Sequence, residues 1–137
     1  VLADNIFQKS VAKEVQSFQT GGAIFGVRVA HPEHYGVIEQ DEHGNVTKIT
    51  EKPKNPVSNL IATGLYLYDH TVWEMISQLT PSARGELEIT DVNNFYLKEG
   101  RLKVHQLEGE WRDCGENHDG YLDACIKAKE WFYGSCA

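Results

Sequence analysis

The sequence predicts an α/β fold, because strand-like and helix-like segments alternate along its 137 residues. Residues 23–30 and 61–68 are almost continuously apolar, which is typical of buried strands. Residues 71–79 place apolar side chains on one helix face, and a second helix over about 89–98 ends before a glycine. There is no internal repeat or linker, so we expect one domain over residues 1–137.

The first twenty residues are predicted to contain the end of a strand, a loop and a helix. Residues 1–3 end the strand and lead Asp4 and Asn5 into the loop. The helix covers about residues 7–18 and ends before a glycine pair. Its apolar residues recur at intervals of four, four and three, namely Phe7, Val11, Val15 and Phe18.

The rest of the chain is predicted to alternate in the same way. The last helix runs through Phe132 and is capped at its N-terminus by Asn117 or Asp119. Glycine, asparagine and proline mark the loops around the other strands. The other predicted strands lie at 37–39, at 46–50 and at 102–107, where apolar and polar residues alternate. The predicted loops are the hairpin loop at 41–45 and a proline-containing loop at 52–59.

Composition limits the possible partners. Twenty acidic residues against 13 basic ones give a formal net charge of −7, which argues against binding to nucleic acid or to an anionic membrane surface. A phosphate ester would meet the same repulsion unless a divalent cation were bound with it. No apolar run in the sequence is long enough to span a membrane.

Cysteine usage favours a reducing compartment. Cys114, Cys125 and Cys136 are odd in number, and no two of them form a CxxC pair. This pattern argues against a disulfide framework and against a zinc site. We therefore expect reduced thiols in a cytoplasmic protein.

Six short motifs follow one another along the chain. They are Asp4-Asn5, Tyr35-Gly36-Val37, Glu51-Lys52-Pro53, Thr63-Gly64-Leu65-Tyr66, the run from Ser82 to Asn93, and Trp111-Arg112-Asp113-Cys114-Gly115. Together they resemble the sugar-phosphate half of the nucleoside-diphosphate-sugar pyrophosphorylase (nucleotidyltransferase) family, and within it the glucose-1-phosphate thymidylyltransferases most closely. The resemblance spans essentially the whole chain.

The resemblance implies a three-layer, mixed-sheet nucleotidyltransferase-like fold that is truncated at its N-terminus. Residues 1–137 would be the C-terminal, sugar-phosphate-binding portion of that fold. The glycine-rich loop that binds the nucleotide in this family is absent. Gly21 and Gly22 do not replace it, because the required loop follows a strand and opens a helix.

Two aspartates are candidate metal ligands. Asp4 and Asp113 each follow a predicted strand, where an aspartate can either cap a turn or helix or bind a ligand. The resemblance implies that both bind Mg²⁺ and that Asn5 lies against the ligand. Mg²⁺ prefers hard oxygen ligands and is commonly held by one or two carboxylates plus substrate phosphates. Arg112 and Glu116 depart from the family motif and add a cation and an anion beside this site.

Charged residues in two of the motifs are candidates for binding a sugar phosphate. Arg84 could grip a phosphate through two parallel hydrogen bonds, or it could pair at the surface with Glu86 or Glu88. Without the resemblance, Glu51 and Lys52 would be interpreted as a solvated charge pair on a loop. The resemblance implies that Glu51 accepts hydrogen bonds from sugar hydroxyls, and that Lys52 and Arg84 neutralise phosphate. It also implies backbone contacts to the hexose from Gly36, Ala62 and Gly64.

The family reaction is the attack of a sugar 1-phosphate oxygen on the α-phosphorus of a nucleoside triphosphate, as when glucose 1-phosphate and dTTP give dTDP-glucose and pyrophosphate. Positioning and charge neutralisation drive it, so no catalytic residue apart from the metal site is implied. One hypothesis is an enzyme fragment that is inactive alone and uses a nucleoside triphosphate only if an N-terminal portion is supplied. The alternative is a non-catalytic sugar-phosphate-binding or subunit-interaction module.

A homo-oligomer is also expected. The implied truncation would leave an uncovered sheet edge near residues 1–7 or in the strand at 23–29. Unpaired strand edges recruit other strands, so copies of the chain are expected to meet there.

Overall fold

Strands and helices alternate along the chain, as the sequence predicts. The computed structural model describes residues 1–115 and 117–134. Its elements are β1 (Asn5–Phe7), α1 (Ala12–Ser17), β2 (Gly22–Arg28), β3 (Gly36–Gln40), β4 (Val46–Glu51), β5 (Leu60–Tyr68), α2 (Val72–Ser77), α3 (Ile89–Lys98), β6 (Leu102–Gln106), β7 (Trp111–Asp113) and α4 (His118–Tyr133). A short 3-10 turn at Pro32–His34 precedes β3.

The central sheet has five strands in the order β4-β3-β5-β2-β6. Neighbouring strands are antiparallel except for β2 and β6, which run parallel. The sheet is therefore mixed, which confirms the predicted α/β class. A second sheet pairs β1 with β7 in antiparallel fashion and places Asn5 opposite Asp113.

The two faces of the central sheet are covered by different elements. On one face α3 packs through Tyr96, whose ring lies so close to Gly22 that a Cβ there would meet it at 2.9 Å. On the other face Val37 and Ile61 pack against Trp111 of β7. The central sheet thus lies between a helical layer and the small sheet, which agrees with the predicted three-layer arrangement.

The N-terminal segment differs from its prediction. Residues 1–3 form no strand, and α1 covers only Ala12–Ser17. Phe7, which fits the spacing of the predicted helix, lies instead in β1 opposite Trp111 and packs on the cluster around Val37. The regular spacing therefore combines one strand residue with a shorter helix.

The sheet edges also differ from the prediction. β2 is an interior strand that pairs with β5 on one side and with β6 on the other, so residues 23–29 offer no open edge. The edge strands are β4 and β6. On β4 the Asn94 carboxamide accepts from the N–H of Ile49 at 3.0 Å and donates to its C=O at 2.7 Å. A side chain thus occupies backbone groups that another strand would otherwise use.

Two local predictions are confirmed by hydrogen bonds. The Asn117 side chain accepts a bond from the N–H of Gly120 at 2.8 Å and so caps α4. In the hairpin loop, the Asp41 carboxylate accepts bonds from the N–H groups of His43 and Asn45 at 2.9 and 2.8 Å. Within residues 1–115 and 117–134, none of the helices is both long and apolar enough to cross a membrane.

Candidate functional site

A cavity of about 220 Å³ lies where the end of β4, the middle of β5 and the start of α3 approach the small sheet. Eight of the nine residues predicted to bind ligand or metal line it, namely Asp4, Asn5, Gly36, Glu51, Lys52, Ala62, Gly64 and Asp113. We call this space the inner cavity. A larger depression of about 570 Å³ shares Asp4, Lys52 and Asp113 with it and extends to Gly115 and Asn117; we call it the outer depression.

Strand pairing brings the two candidate metal ligands together. Asn5 is the register partner of Asp113, so Asp4 lies one residue away from that pair. The N–H of Cys114 donates to the backbone C=O of Asp4 at 2.7 Å, and the N–H of Gly115 donates to Oδ1 of Asp113 at 2.8 Å. A Cβ on Gly115 would lie only 2.6 Å from Oδ2 of Asp4. Glycine at position 115 therefore leaves the space that the Asp4 carboxylate occupies.

The donor set at this position suits Mg²⁺. Two carboxylates supply the hard oxygen atoms that this ion prefers, and the ion ordinarily completes its shell with water and substrate phosphate. In the part of the chain that the structure describes, no group of three or more His, Cys, Asp or Glu side chains could hold a metal ion. Asp4 and Asp113 are the residues that would hold an ion here.

Arg112, one of the two departures from the family motif, is directed away from this pair. Its Nε donates to Asp123 of α4 at 2.7 Å, and its Nη2 donates to Glu110 at 2.9 Å. Its guanidinium also lies 6.0 Å from the ring centre of Trp131. Arg112 thus ties β7 to α4 instead of adding a cation to the site. Glu116, the other departure, lies outside the described residues.

The opposite wall of the inner cavity is formed by Gly36, Glu51 and Thr90. The Thr90 hydroxyl donates to Oε2 of Glu51 at 2.5 Å, which fixes one oxygen of this carboxylate from the first turn of α3. A Cβ on Gly36 would approach Thr90 Oγ1 to 3.1 Å and Glu51 Oε2 to 3.4 Å. The absence of a side chain at position 36 therefore keeps this wall open to a ligand.

Tyr66 is a site residue that the sequence analysis did not single out. It lines the inner cavity from β5. Burial, reinforced by the negative charges of Glu51 and Asp4, raises the pKa of Tyr66 to about 12. The phenol is protonated at neutral pH, and it offers the inner cavity a neutral hydrogen-bonding group. Thr90 and Trp111 were missed as well, although all three residues lie within the motifs already recognised.

Asn5 and Gly64 contact each other directly. Oδ1 of Asn5 accepts a bond from the N–H of Gly64 at 2.9 Å, and the C=O of Gly64 accepts one from the N–H of Leu2 at 2.7 Å. A Cβ on Gly64 would meet Nδ2 of Asn5 at 2.7 Å. In this structure the space at Gly64 is thus filled by the N-terminal segment.

Lys52 lies where the inner cavity and the outer depression meet. Its φ of 41° places the backbone in the left-handed region, which a residue with a side chain rarely adopts, and its N–H donates to the C=O of Tyr35 at 3.0 Å. Such a conformation carries a cost and persists only where the surroundings enforce it. Among the described residues that line the two spaces, Lys52 is the only Lys or Arg.

Arg84 is the one predicted site residue that does not line either space. Its guanidinium forms an ion pair with Glu86, and its Nη1 and Nε lie 3.6 Å from Glu51 and 3.9 Å from Glu88. Both surface pairings that the sequence left open are therefore present. Arg84 nevertheless lies beside the inner cavity, because Glu51 lines it.

Comparison with known proteins identifies the family to which this chain belongs. The family model described as nucleotidyl transferase matches residues 1–130. The chain belongs to the nucleotidyl transferase family. This confirms the resemblance drawn from the six motifs.

Curated relatives narrow the similarity within the family. The chain is 44% identical over 122 residues to the glucose-1-phosphate thymidylyltransferase of Neisseria gonorrhoeae, covering 84% of this chain and 42% of that protein. It is 46% identical over 129 residues to the glucose-1-phosphate thymidylyltransferase of Mycobacterium tuberculosis, covering 90% of this chain and 44% of that protein. The chain thus spans less than half of the length of these relatives.

Solved structures show the same fold. A crystal structure assigned as a glucose-1-phosphate thymidylyltransferase from Bacillus anthracis, in complex with sucrose, superposes with a TM-score of 0.81 at 40% identity and covers 93% of this chain and 52% of its own. A UDP-glucose pyrophosphorylase complexed with UDP-glucose superposes with a TM-score of 0.80 at 25% identity and covers 95% of this chain and 55% of its own. The mixed sheet and its helical layer are therefore those of a nucleotidyltransferase fold.

Proposed function

We propose that this chain is the sugar-phosphate-binding portion of a sugar-1-phosphate nucleotidyltransferase whose reaction converts glucose 1-phosphate and dTTP to dTDP-glucose and pyrophosphate. One observation carries the proposal: eight of the nine predicted residues converge on the inner cavity, seven of them from five separate motifs and Ala62 from the position just before one of these motifs. These residues belong to, or directly adjoin, strands of both sheets. Proximity within one local segment therefore does not explain why they line the same cavity. The relatives that carry the same name support the choice of substrates.

In this proposal the inner cavity binds the hexose. Glu51 would accept hydrogen bonds from sugar hydroxyls through Oε1, since its Oε2 is already bonded to Thr90. Tyr66 would contribute a neutral phenol. The backbones of Gly36, Ala62 and Gly64 would contact the ring. For Gly64 to do so through its N–H, the hydrogen bond from this N–H to Oδ1 of Asn5 would have to be replaced by one to the ligand.

The phosphate of the sugar would lie at the edge of the inner cavity, near Lys52. Asp4, Glu51 and Asp113 give this region a surplus of negative charge, against which Lys52 is the lining cation. A phosphate would therefore bind far better together with Mg²⁺ on Asp4 and Asp113 than without it. Arg84 would complete the phosphate contacts. When bound, Mg²⁺ would neutralise the charge that develops on the phosphates during transfer.

We further propose that the chain alone has no pyrophosphorylase activity. No glycine-rich loop that could cradle a triphosphate occurs in its sequence, so a nucleoside triphosphate would bind only if an N-terminal portion were supplied. The alternative is a non-catalytic sugar-phosphate-binding or subunit-interaction module, which the same inner cavity would serve.

Two assays test this proposal. Calorimetry with glucose 1-phosphate and Mg²⁺ should show weak binding that Asp113→Asn lowers at least severalfold, whereas the exposed control Asp119→Asn should leave it unchanged. A pyrophosphate-release assay with dTTP, glucose 1-phosphate and Mg²⁺ should show no turnover. Absence of binding would contradict the sugar-phosphate assignment. Turnover that Asp113→Asn abolishes would contradict only the inactivity of the chain.

We also propose that the chain forms a homo-oligomer in the cytoplasm. Large apolar side chains are exposed along α4, including Leu122, Ile126 and Phe132, and such surface is seldom left bare in solution. The free thiols of Cys114 and Cys125 suit a reducing compartment; Cys136 lies outside the described residues. Light scattering of the chain and of its Leu122→Glu/Ile126→Glu variant tests the association, and a monomer at high concentration would contradict it.

A further inference from the structure

Arg84 is surrounded by three carboxylates. Glu86 forms an ion pair with its Nη2, Glu51 lies 3.6 Å from its Nη1, and Glu88 lies 3.9 Å from its Nε. One guanidinium and three carboxylates leave a local charge of about −2. An incoming phosphate would therefore be repelled as long as all three carboxylates keep their places around Arg84.

The three carboxylates are not equally fixed. Glu51 is held by Thr90, and its side chain is 22% exposed. Glu88 accepts a bond from the Ser82 hydroxyl at 2.7 Å, and its side chain is 11% exposed. Glu86 is 60% exposed, and Arg84 is the partner of its carboxylate among the described residues. Glu86 is thus the carboxylate that can leave without breaking another contact.

The loop that carries Arg84 has a fixed backbone. The N–H of Ser82 donates to the C=O of Glu86 at 2.8 Å, and the N–H of Gly85 donates to the C=O of Ser82 at 2.8 Å. The N–H of Arg84 itself donates to the Ser82 hydroxyl at 3.1 Å. Gly85 has a φ of 78°, which lets the chain make this tight turn. Any change of partner at Arg84 therefore takes place in its side chain.

We propose that Glu86 is a positioning residue that competes with the sugar phosphate for Arg84. With no ligand, Glu86 holds the guanidinium at the rim of the inner cavity; with ligand, the guanidinium exchanges Glu86 for the phosphate. Glu86 engages Nη2 of Arg84, which is one of the N–H groups that a phosphate gripped through two parallel hydrogen bonds would use, so the two anions compete for it. Glu86 thereby sets how tightly the site binds a sugar 1-phosphate. This inference rests on the proposed function.

The exposure of the pair makes the exchange feasible. A solvent-exposed ion pair contributes little to stability, because water and salt screen it and two long side chains lose freedom. A ligand phosphate, which carries more charge than one carboxylate and is held by Lys52 as well, can therefore displace Glu86. Arg84 already lies 3.6 Å from Glu51, which lines the inner cavity, so we expect a rotation of the Arg84 side chain to bring the guanidinium to the phosphate.

The test compares Glu86→Gln with Glu42→Gln, which removes the same charge from an exposed residue of the hairpin loop. Calorimetry with glucose 1-phosphate and Mg²⁺ should show two- to tenfold tighter binding for Glu86→Gln and no change for Glu42→Gln. In the Arg84→Ala background, Glu86→Gln should give less than a twofold gain. The Nε–H signal of Arg84 in NMR spectra should shift in Glu86→Gln without ligand, and in wild type when glucose 1-phosphate is added.

The possible failures are distinct. Equal affinity of wild type and Glu86→Gln, with Arg84→Ala weaker than both, would overturn the competition and leave the proposed function standing. Equal affinity of wild type and Arg84→Ala for glucose 1-phosphate would also overturn the competition, because it would show that Arg84 does not bind the phosphate. Absence of binding in every variant, with melting temperatures unchanged, would overturn the proposed function and this inference together.

Discussion

Oδ1 of Asn5 accepts a hydrogen bond from the indole Nε1 of Trp111 at 2.7 Å, across 106 residues of sequence. The same oxygen accepts the N–H of Gly64, and Nδ2 donates to Oδ1 of Asp4 at 2.8 Å. One carboxamide thus joins the small sheet to β5 and steadies one carboxylate of the proposed metal pair. The residue that the family motif places against the ligand therefore has a structural role in the absence of any ligand.

Replacing Asn5 by alanine should destabilise the fold by about 2–4 kcal/mol. The change leaves the N–H groups of Trp111 and Gly64 without an acceptor, and each unpaired buried donor costs about 1–3 kcal/mol. Urea denaturation of the variant measures the loss, with Asn55→Ala in the exposed loop after β4 as the control. A loss below about 0.5 kcal/mol would show that the Asn5 bonds contribute little to stability.

Local sequence patterns were sufficient for the elements that are long or strongly capped. The apolar run of β5, the helix α3 and the Asn117 cap of α4 each depend on neighbours within one element, and each was predicted within a few residues. β1 and β7 were not predicted as a pair. They have three residues each, and their stability comes from a partner more than a hundred residues away. No local periodicity reports such pairing.

In the candidate site too, residues could be predicted from local motifs, whereas contacts between distant segments could not. Motif resemblance found the carboxylates and glycines, because their residue types are required at particular places in the sequence. It did not find the bond from Thr90 to Glu51, or the approach of Glu51 to Arg84, since these depend on how α3 and its preceding loop pack against β4. The resemblance therefore identified the side chains of the candidate site, whereas their hydrogen-bond and ion-pair partners are seen only in the structure.

Gly115→Ala should weaken the proposed binding of Mg²⁺. The new Cβ would lie 2.6 Å from Oδ2 of Asp4, so this carboxylate would have to leave its present position beside Gly115. Even changes to groups that only orient a metal ligand typically cost 10- to 100-fold in affinity, so we expect at least this loss when the ligand itself is displaced. Mn²⁺ serves as the probe in place of Mg²⁺, with its binding followed by electron paramagnetic resonance. Gly120→Ala is the matched control, because a Cβ there would meet its nearest atoms at an ordinary 3.5 Å. Equal affinity in the two variants would argue against Asp4 as a ligand.

Tyr66 should titrate near pH 12 instead of near its ordinary value of about 10. Between these two values the unfolded chain has released this proton and the folded chain has kept it. The stability that the protonated phenol confers is therefore complete below about pH 10 and is lost as the pH rises through about 12. The absorbance change at alkaline pH, taken as the difference between wild type and Tyr66→Phe, reports this titration.

Glu51→Gln tests the electrostatic part of that shift. Removing this negative charge should lower the pKa of Tyr66, while burial should keep it above its ordinary value. Glu74→Gln on the exposed side of α2 controls for the change in net charge. An identical titration of Tyr66 in wild type and in Glu51→Gln would show that the two side chains do not interact.

The buried pair of Tyr68 and Asn93 should behave as a coupled unit. The Tyr68 hydroxyl donates to Oδ1 of Asn93 at 2.5 Å, and burial raises the pKa of Tyr68, which keeps it a donor. Asn93 is fully buried, and its Nδ2 has no hydrogen-bond partner among the described residues. Tyr68→Phe alone would leave the entire Asn93 carboxamide unpaired and should cost about 1–3 kcal/mol. Asn93→Leu alone would remove an unpaired donor as well as the acceptor of Tyr68, so it should cost less.

The double variant Tyr68→Phe/Asn93→Leu removes both polar partners and leaves no buried group unpaired. Its loss of unfolding free energy relative to wild type should therefore be smaller, by about 1–2 kcal/mol, than the sum of the two single losses. Urea denaturation of all four proteins completes the cycle. Losses that add within about 0.5 kcal/mol would mean that the hydroxyl and the carboxamide act independently, as residues without a shared bond do.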